Sequence, residues 1–260
     1  SQEFPKHQFA WKVLGAVFKA TGRKSEAVDA NQTTVALSPQ DAEAHSNLGT
    51  TLKELGRLDE ALASYTQAIT LKPDYAEAHY NLGIMLQELG RLDEALASYT
   101  QAIAMKPDYA EAHSDLGNTL KELGRLDEAL ASYNQAIALK PGFAEAHYNL
   151  GITLQELGRS DEAKTSYTQA IALKPDYAAA HSNLGITLNA MGSRESALKH
   201  FERSFQLKRG VNPVDLYHKS FRKISIAKLE HDIEQFHYIA ASSIGIKKFQ
   251  ELAMLYQTVR

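Results

Sequence analysis

The segment His45-Ser-Asn-Leu-Gly49 returns four times at intervals of 34 residues: His79-Tyr-Asn-Leu-Gly83, His113-Ser-Asp-Leu-Gly117, His147-Tyr-Asn-Leu-Gly151 and His181-Ser-Asn-Leu-Gly185. A fixed period of this length marks helical pairs stacked in series, each pair too small to bury its apolar face alone. It argues against a globular enzyme built round one pocket.

Ala42–Tyr75 is one unit, with Ala42 as position 1. His45, Leu48, Leu52 and Leu55 stand at i, i+3, i+7 and i+10, the apolar stripe of a first helix. Gly56 ends it. Asp59 and Glu60 open a second helix, where carboxylates suit the macrodipole. The expected buried stripe of that helix is Leu58, Ala61, Leu62, Tyr65, Ala68 and Ile69, and Pro73 stops it.

Leu48, Gly49, Gly56, Ala61, Tyr65, Ala68 and Pro73 together resemble the tetratricopeptide-repeat signature, and their counterparts recur in the next three units. The resemblance implies an all-α, right-handed α-solenoid of stacked helix-turn-helix repeats with a concave groove. The units are 42–75, 76–109, 110–143 and 144–177, flanked by degenerate repeats at 8–41 and 178–211. The first of these has Asn31 in the aromatic position; the second has Arg209 where proline is expected. Pro5 precedes Pro39 by 34 residues, which places residues 1–7 at the tail of a preceding repeat. With no initiator Met, a piece of a longer protein is expected. Beyond Val211 the period is lost. Ile226 to Ala240 and Phe249 to Val259 read as amphipathic helices, so 212–260 is expected to be a C-terminal helical cap or a linker.

Composition narrows the function. No cysteine is present, which removes disulfides, thiolate metal sites and Cys nucleophiles. No apolar run approaches the roughly 20 residues that span a bilayer, so a soluble, cytoplasmic protein with no membrane partner is expected. Net charge is −3, unevenly spread: 16 lysines and arginines against 24 acidic residues up to 193, then 12 against 7. An acidic array argues against nucleic acid. The five recurrent histidines lie on successive helices ~8–10 Å or more apart and cannot share one metal, which needs nitrogens within ~2.1 Å. Partial burial between helices is their expected role. No phosphate loop, nucleophile elbow, cofactor site or metal site is read, and no catalysis is expected of this chain.

In the tetratricopeptide family, first-helix positions 2, 5, 6, 9, 12 and 13 line the groove. Position 6 holds Asn47, Asn81, Asp115, Asn149 and Asn183. An asparagine offers an acceptor and two donors, enough to bond a peptide backbone whatever its side chains. The series resembles the asparagine ladder of the O-linked N-acetylglucosamine transferase repeats; the alternative is simple inheritance of a common repeat residue. Position 5 alternates Ser and Tyr, with Tyr80 and Tyr148 as candidate aromatic contacts, while position 12 alternates Lys53, Gln87, Lys121 and Gln155. Duplication of a two-repeat block accounts for the same alternation. Glu43, Glu77, Glu111 and Glu145 at position 2 would steer in a neutral or basic segment, or are simply good helix formers. The lysines or arginines with which the family's chaperone-tail binders clamp a C-terminal carboxylate are missing from positions 2, 5 and 6 of these units.

The sequence therefore reads as a scaffold that binds an extended peptide segment of a protein partner. Two alternatives stand beside it: the substrate-docking region of a larger transferase or oxygenase, and a self-associating module.

Overall fold

The computed structural model describes residues 7–209, and the regular structure among them is entirely helical. Twelve helices follow in order: α1 (Gln8–Ala20), α2 (Lys24–Leu37), α3 (Ala42–Glu54), α4 (Leu58–Leu71), α5 (Ala76–Glu88), α6 (Leu92–Met105), α7 (Ala110–Glu122), α8 (Leu126–Leu139), α9 (Ala144–Glu156), α10 (Ser160–Leu173), α11 (Ala178–Ala190) and α12 (Arg194–Arg209). The expected cap over 212–260 and residues 1–6 of the expected N-terminal tail lie outside the described residues.

The chain divides into two compact units, Ser1–Pro141 with α1 to α8 and Gly142–Arg260 with α9 to α12. In the first, α1 packs on α2, α3 on α4, α5 on α6 and α7 on α8; α2, α4 and α6 each also pack on the next first helix. In the second, α9 packs on α10, α10 on α11 and α11 on α12. Consecutive helix pairs are thus stacked as repeats within each unit.

The turn inside each pair follows from one glycine. Gly56 has φ +75°, a left-handed conformation open to glycine at little cost. The Arg57 N–H then reaches back to the Leu52 carbonyl at 3.0 Å and the Gly56 N–H to Lys53 at 2.9 Å, which satisfies the end of α3. Arg57 next stands before α4 and donates two bonds to Glu60, at 2.7 and 2.6 Å. Both groups are exposed, so the pair adds little to stability.

In every pair after α1–α2, the core is an aromatic ring laid on a glycine. Tyr65, Tyr99, Tyr133 and Tyr167 are fully buried, and burial of one such side chain contributes roughly 1.5–3 kcal/mol. A Cβ on Gly117 would lie 2.7 Å from Cε1 of Tyr133, so the helices meet this closely only without a side chain there. Leu48, Leu52, Ala61 and Ala68 are buried as the stripe predicts, whereas His45, Leu55, Leu58, Leu62 and Ile69 are half-buried. Ser46 and Ser114, expected on the groove at position 5, are only 3% exposed.

The two flanking repeats depart from the pattern in readable ways. Asn31 fills the tyrosine slot beside Gly15 and donates to Thr51 Oγ1 at 2.7 Å, so its amide is not stranded in the core. Within the described residues α12 continues to Arg209, two residues past where α4, α6, α8 and α10 stop, because Arg209 rather than proline stands at the stop position.

Candidate functional site

The position-6 residues sit on the first helices. Asn47 on α3 is exposed; Asn81 on α5, Asp115 on α7, Asn149 on α9 and Asn183 on α11 are half-buried. Their side chains are not equivalent. Among the described residues the amides of Asn47 and Asn81 make no side-chain hydrogen bond. Asp115 accepts from Tyr80 Oη at 2.9 Å and from Asn118 Nδ2 at 3.2 Å. Asn183 Nδ2 donates to Tyr148 Oη at 3.2 Å.

Each position-5 tyrosine therefore reaches across to position 6 of the following repeat. Each also belongs to an aromatic cluster. The Tyr80 ring lies 4.7 Å from Tyr109 and 5.9 Å from Tyr99; Tyr148 lies 4.8 Å from Tyr177 and 6.0 Å from Tyr167. Both Tyr80 and Tyr148 are half-buried, with hydroxyls already engaged. Burial is the main cause that raises the hydroxyl pKa of both. Tyr109 and Tyr177 are pushed up to about 12, again chiefly by burial. Burial also holds the Asp115 carboxyl above the usual aspartate value, against the opposing pull of Tyr80 and Asn118, and Glu111 nearby adds to the rise.

The alternation along the first helices has a structural counterpart. Each buried tyrosine hydroxyl needs an acceptor. Tyr65 finds Thr50 Oγ1 at 3.1 Å and Tyr133 finds Asn118 Oδ1 at 2.8 Å, both at position 9. Where position 9 is Ile84 or Ile152, the acceptor comes from position 12: Tyr99 donates to Gln87 Oε1 at 3.1 Å and Tyr167 to Gln155 Oε1 at 2.9 Å. Positions 9 and 12 exchange one duty between two repeat designs. Gln87 Nε2 also donates to Glu122 on the next first helix, at 2.9 Å.

Five of the charged candidates are locally paired. Lys53 meets Glu88 at 2.8 Å, while Lys121 is half-buried. Glu43 meets Lys12 at 2.8 Å, Glu77 meets Lys106 at 3.8 Å, Glu111 meets Lys140 at 2.8 Å and Glu145 meets Lys174 at 3.3 Å. The Lys140 hydrogen bond is the main cause that holds the Glu111 carboxyl below its ordinary value. These pairs offset much of the acidity that the sequence places at position 2. The lysines sit just before Pro107, Pro141 and Pro175, and only the fold shows that this loop returns to the start of its own first helix.

The histidines have a duty that the sequence does not disclose. The Nε2 atoms of His45, His79, His113 and His181 lie 2.9, 3.0, 3.1 and 3.2 Å from the carbonyls of Pro39, Pro73, Pro107 and Pro175. A carbonyl only accepts, so Nε2 carries the proton and each ring pins the loop that precedes its helix. His181 is joined through Nδ1 to Nδ1 of His200, at 3.0 Å. Burial is the first cause that lowers the pKa of both rings. Among the described residues no three His, Asp or Glu side chains are grouped to hold a metal, and no helix is long and apolar enough to cross a membrane.

Family models described as TPR repeat match residues 51–90, 85–124 and 117–158, and models described as tetratricopeptide repeat match 31–63, 144–177 and 178–215. The chain is built of tetratricopeptide repeats. Among solved structures it resembles MamA, at 25% identity and TM-score 0.60, over 63% of this chain and 95% of that one. It likewise resembles YrrB, described as a TPR protein with an unusual peptide-binding site, at 25% identity and TM-score 0.60, over 70% of this chain and 94% of that one. MamA 41-end from Desulfovibrio magneticus RS-1 shares the fold at 22% identity and TM-score 0.61, over 65% of this chain and 96% of that one. No curated protein sequence matches the chain.

Proposed function

We propose that this tetratricopeptide-repeat chain is a protein-interaction scaffold that holds an extended segment of a partner against its first helices. The observation that carries the reading is the state of Asn47 and Asn81. Packing in their repeats is done by other residues: the tyrosine on glycine, the alanines, and the histidine on the loop carbonyl. The two amides take no part in it, and Asn47 is exposed. A side chain with both donor and acceptor unused suits a peptide backbone, which offers both. Each bond contributes only about 0.5–1.5 kcal/mol, so affinity comes from several rungs together with side-chain contacts.

YrrB, similar over most of its own length, is itself described by a peptide-binding site, which favours this reading over catalysis. With Glu43, Glu77, Glu111 and Glu145 each sharing a lysine, the partner segment is neutral to basic rather than strongly basic.

A soluble library of acetylated, amidated decapeptides tests the proposal. The chain should retain a subset of them, and Asn47→Ala with Asn81→Ala should weaken retention at least fivefold while the helical circular-dichroism signal holds. Retention unchanged by the double substitution rejects the ladder. No retention of any peptide rejects the scaffold reading itself.

A further inference from the structure

Asp115 is the one carboxylate in the position-6 series, whose other four members are the neutral Asn47, Asn81, Asn149 and Asn183. The repeat pair around Tyr148 supplies the comparison: Tyr148, Tyr167 and Tyr177 surround Asn183 much as Tyr80, Tyr99 and Tyr109 surround Asp115. The two clusters have nearly the same ring separations and differ in charge. Among the described residues only neutral groups bond Asp115: the Tyr80 hydroxyl and the Asn118 amide. No lysine or arginine among the described residues pairs with it. The charged group that bears on it is another carboxylate, Glu111, whose own lysine is Lys140. Lys106 lies over the Tyr109 ring at 4.5 Å and turns to Glu77 instead.

A half-buried carboxylate held by neutral donors alone is an incomplete arrangement, because burial penalises its charge and no described cation compensates. Each carboxylate oxygen has accepted one bond and has a lone pair left. The side chain is still partly open to solvent. We propose that Asp115, walled by Tyr80 and Tyr109, is a specificity pocket for one lysine or arginine side chain of the bound segment. The counterpart at Asn183 has no such preference. This inference rests on the reading that a segment lies against the first helices. The incoming ammonium or guanidinium group completes the carboxylate's charge and gains the charge-assisted bonds that no described lysine or arginine supplies.

The test uses the same decapeptide library, synthesised with one fixed residue at each position in turn. On the unaltered chain, lysine and arginine should exceed norleucine about tenfold at one peptide position, the scale of a single charge-assisted bond. A diffuse attraction to the glutamates would favour basic residues at every position alike. Asp115→Asn introduces the residue that the other four repeats carry, so the fold is retained. It should abolish the preference while peptides with norleucine at that position still bind. Asn183→Asp, checked for unchanged helical signal, should create a second such position. A lysine and arginine preference that survives Asp115→Asn, or none on the unaltered chain while peptides still bind, overturns the pocket and leaves the scaffold standing. Absence of any peptide binding overturns both.

Discussion

Tyr80 donates its hydroxyl proton to Asp115 across the boundary between two repeats, at 2.9 Å. In the equivalent pair the direction is reversed: Tyr148 accepts from Asn183, at 3.2 Å. One hydroxyl serves both because it both donates and accepts. A carboxylate needs the donor more than an amide needs the acceptor. Tyr80→Phe should therefore lower stability by about 1–2 kcal/mol, the range for stranding a partly buried ionised acceptor, and Tyr148→Phe by less. Urea unfolding of the two variants measures the difference; equal losses would show that the ring contacts alone matter.

Asp115 also carries a pH signature. Its pKa is raised in the folded chain by burial, so the folded state holds its proton more tightly than the unfolded state. Stability then falls as pH rises from the ordinary aspartate value, about 3.9, through the raised one. Asp115→Asn should remove this penalty: the variant melts higher than the parent at neutral pH, and the gap closes as the pH is lowered toward about 4. Melting curves across that window decide it, and a gap independent of pH would contradict the assignment.

The histidine pair at the α11–α12 seam has the opposite sign. Burial lowers the pKa of His181 and His200, so the folded state resists protons that the unfolded state accepts. Its contribution is fully present above the unfolded histidine value, about 6.5, and is lost as pH falls through the lowered one. Acidification should loosen this repeat first. His200→Ser introduces the serine that stands at this position in four other repeats as Ser64, Ser98, Ser132 and Ser166, and should flatten the dependence. Amide hydrogen exchange of α11 and α12 at several pH values reads the effect.

The exchange between positions 9 and 12 predicts a coupling. Gln87→Leu should cost about 1–2 kcal/mol, because it strands the buried Tyr99 hydroxyl. Adding Ile84→Asn should recover much of that loss, since Asn118 at the equivalent place accepts from Tyr133. A double-mutant cycle gives the interaction energy, and simple additivity would reject the exchange.

The glycine under each ring sets a packing limit. Gly117→Ala should destabilise by about 1–3 kcal/mol through overlap with Tyr133, whereas Gly142→Ala, with open space around it, should stay within about 0.5 kcal/mol.

The fold was legible because its determinants recur at fixed spacing. Gly56, Tyr65 and Ala61 each repeat every 34 residues, so a pattern too weak to trust once becomes compelling four times over. The position-6 series was legible for the same reason. What stayed hidden were contacts between residues about one repeat apart whose pairing no local pattern encodes. Tyr80 on Asp115 and Lys140 on Glu111 are 35 and 29 residues apart. The sequence sets a tyrosine and an acidic run on the same helix faces, but it does not show that the hydroxyl is already spent or that the acids are already paired. Asn31 misled in the other direction: it looks like decay of the aromatic site, yet it fills the slot and bonds Thr51.

On the proposed reading, the unused amides of Asn47 and Asn81 hold a partner's backbone. Side-chain amide resonances of Asn47 and Asn81, recorded while a retained decapeptide is titrated in, test it most directly. Both should shift in proportion to peptide bound, and their replacement by alanine should weaken the complex at least fivefold. A peptide that binds with these two amides unmoved, and as tightly to the alanine variant, would rule out their part in binding.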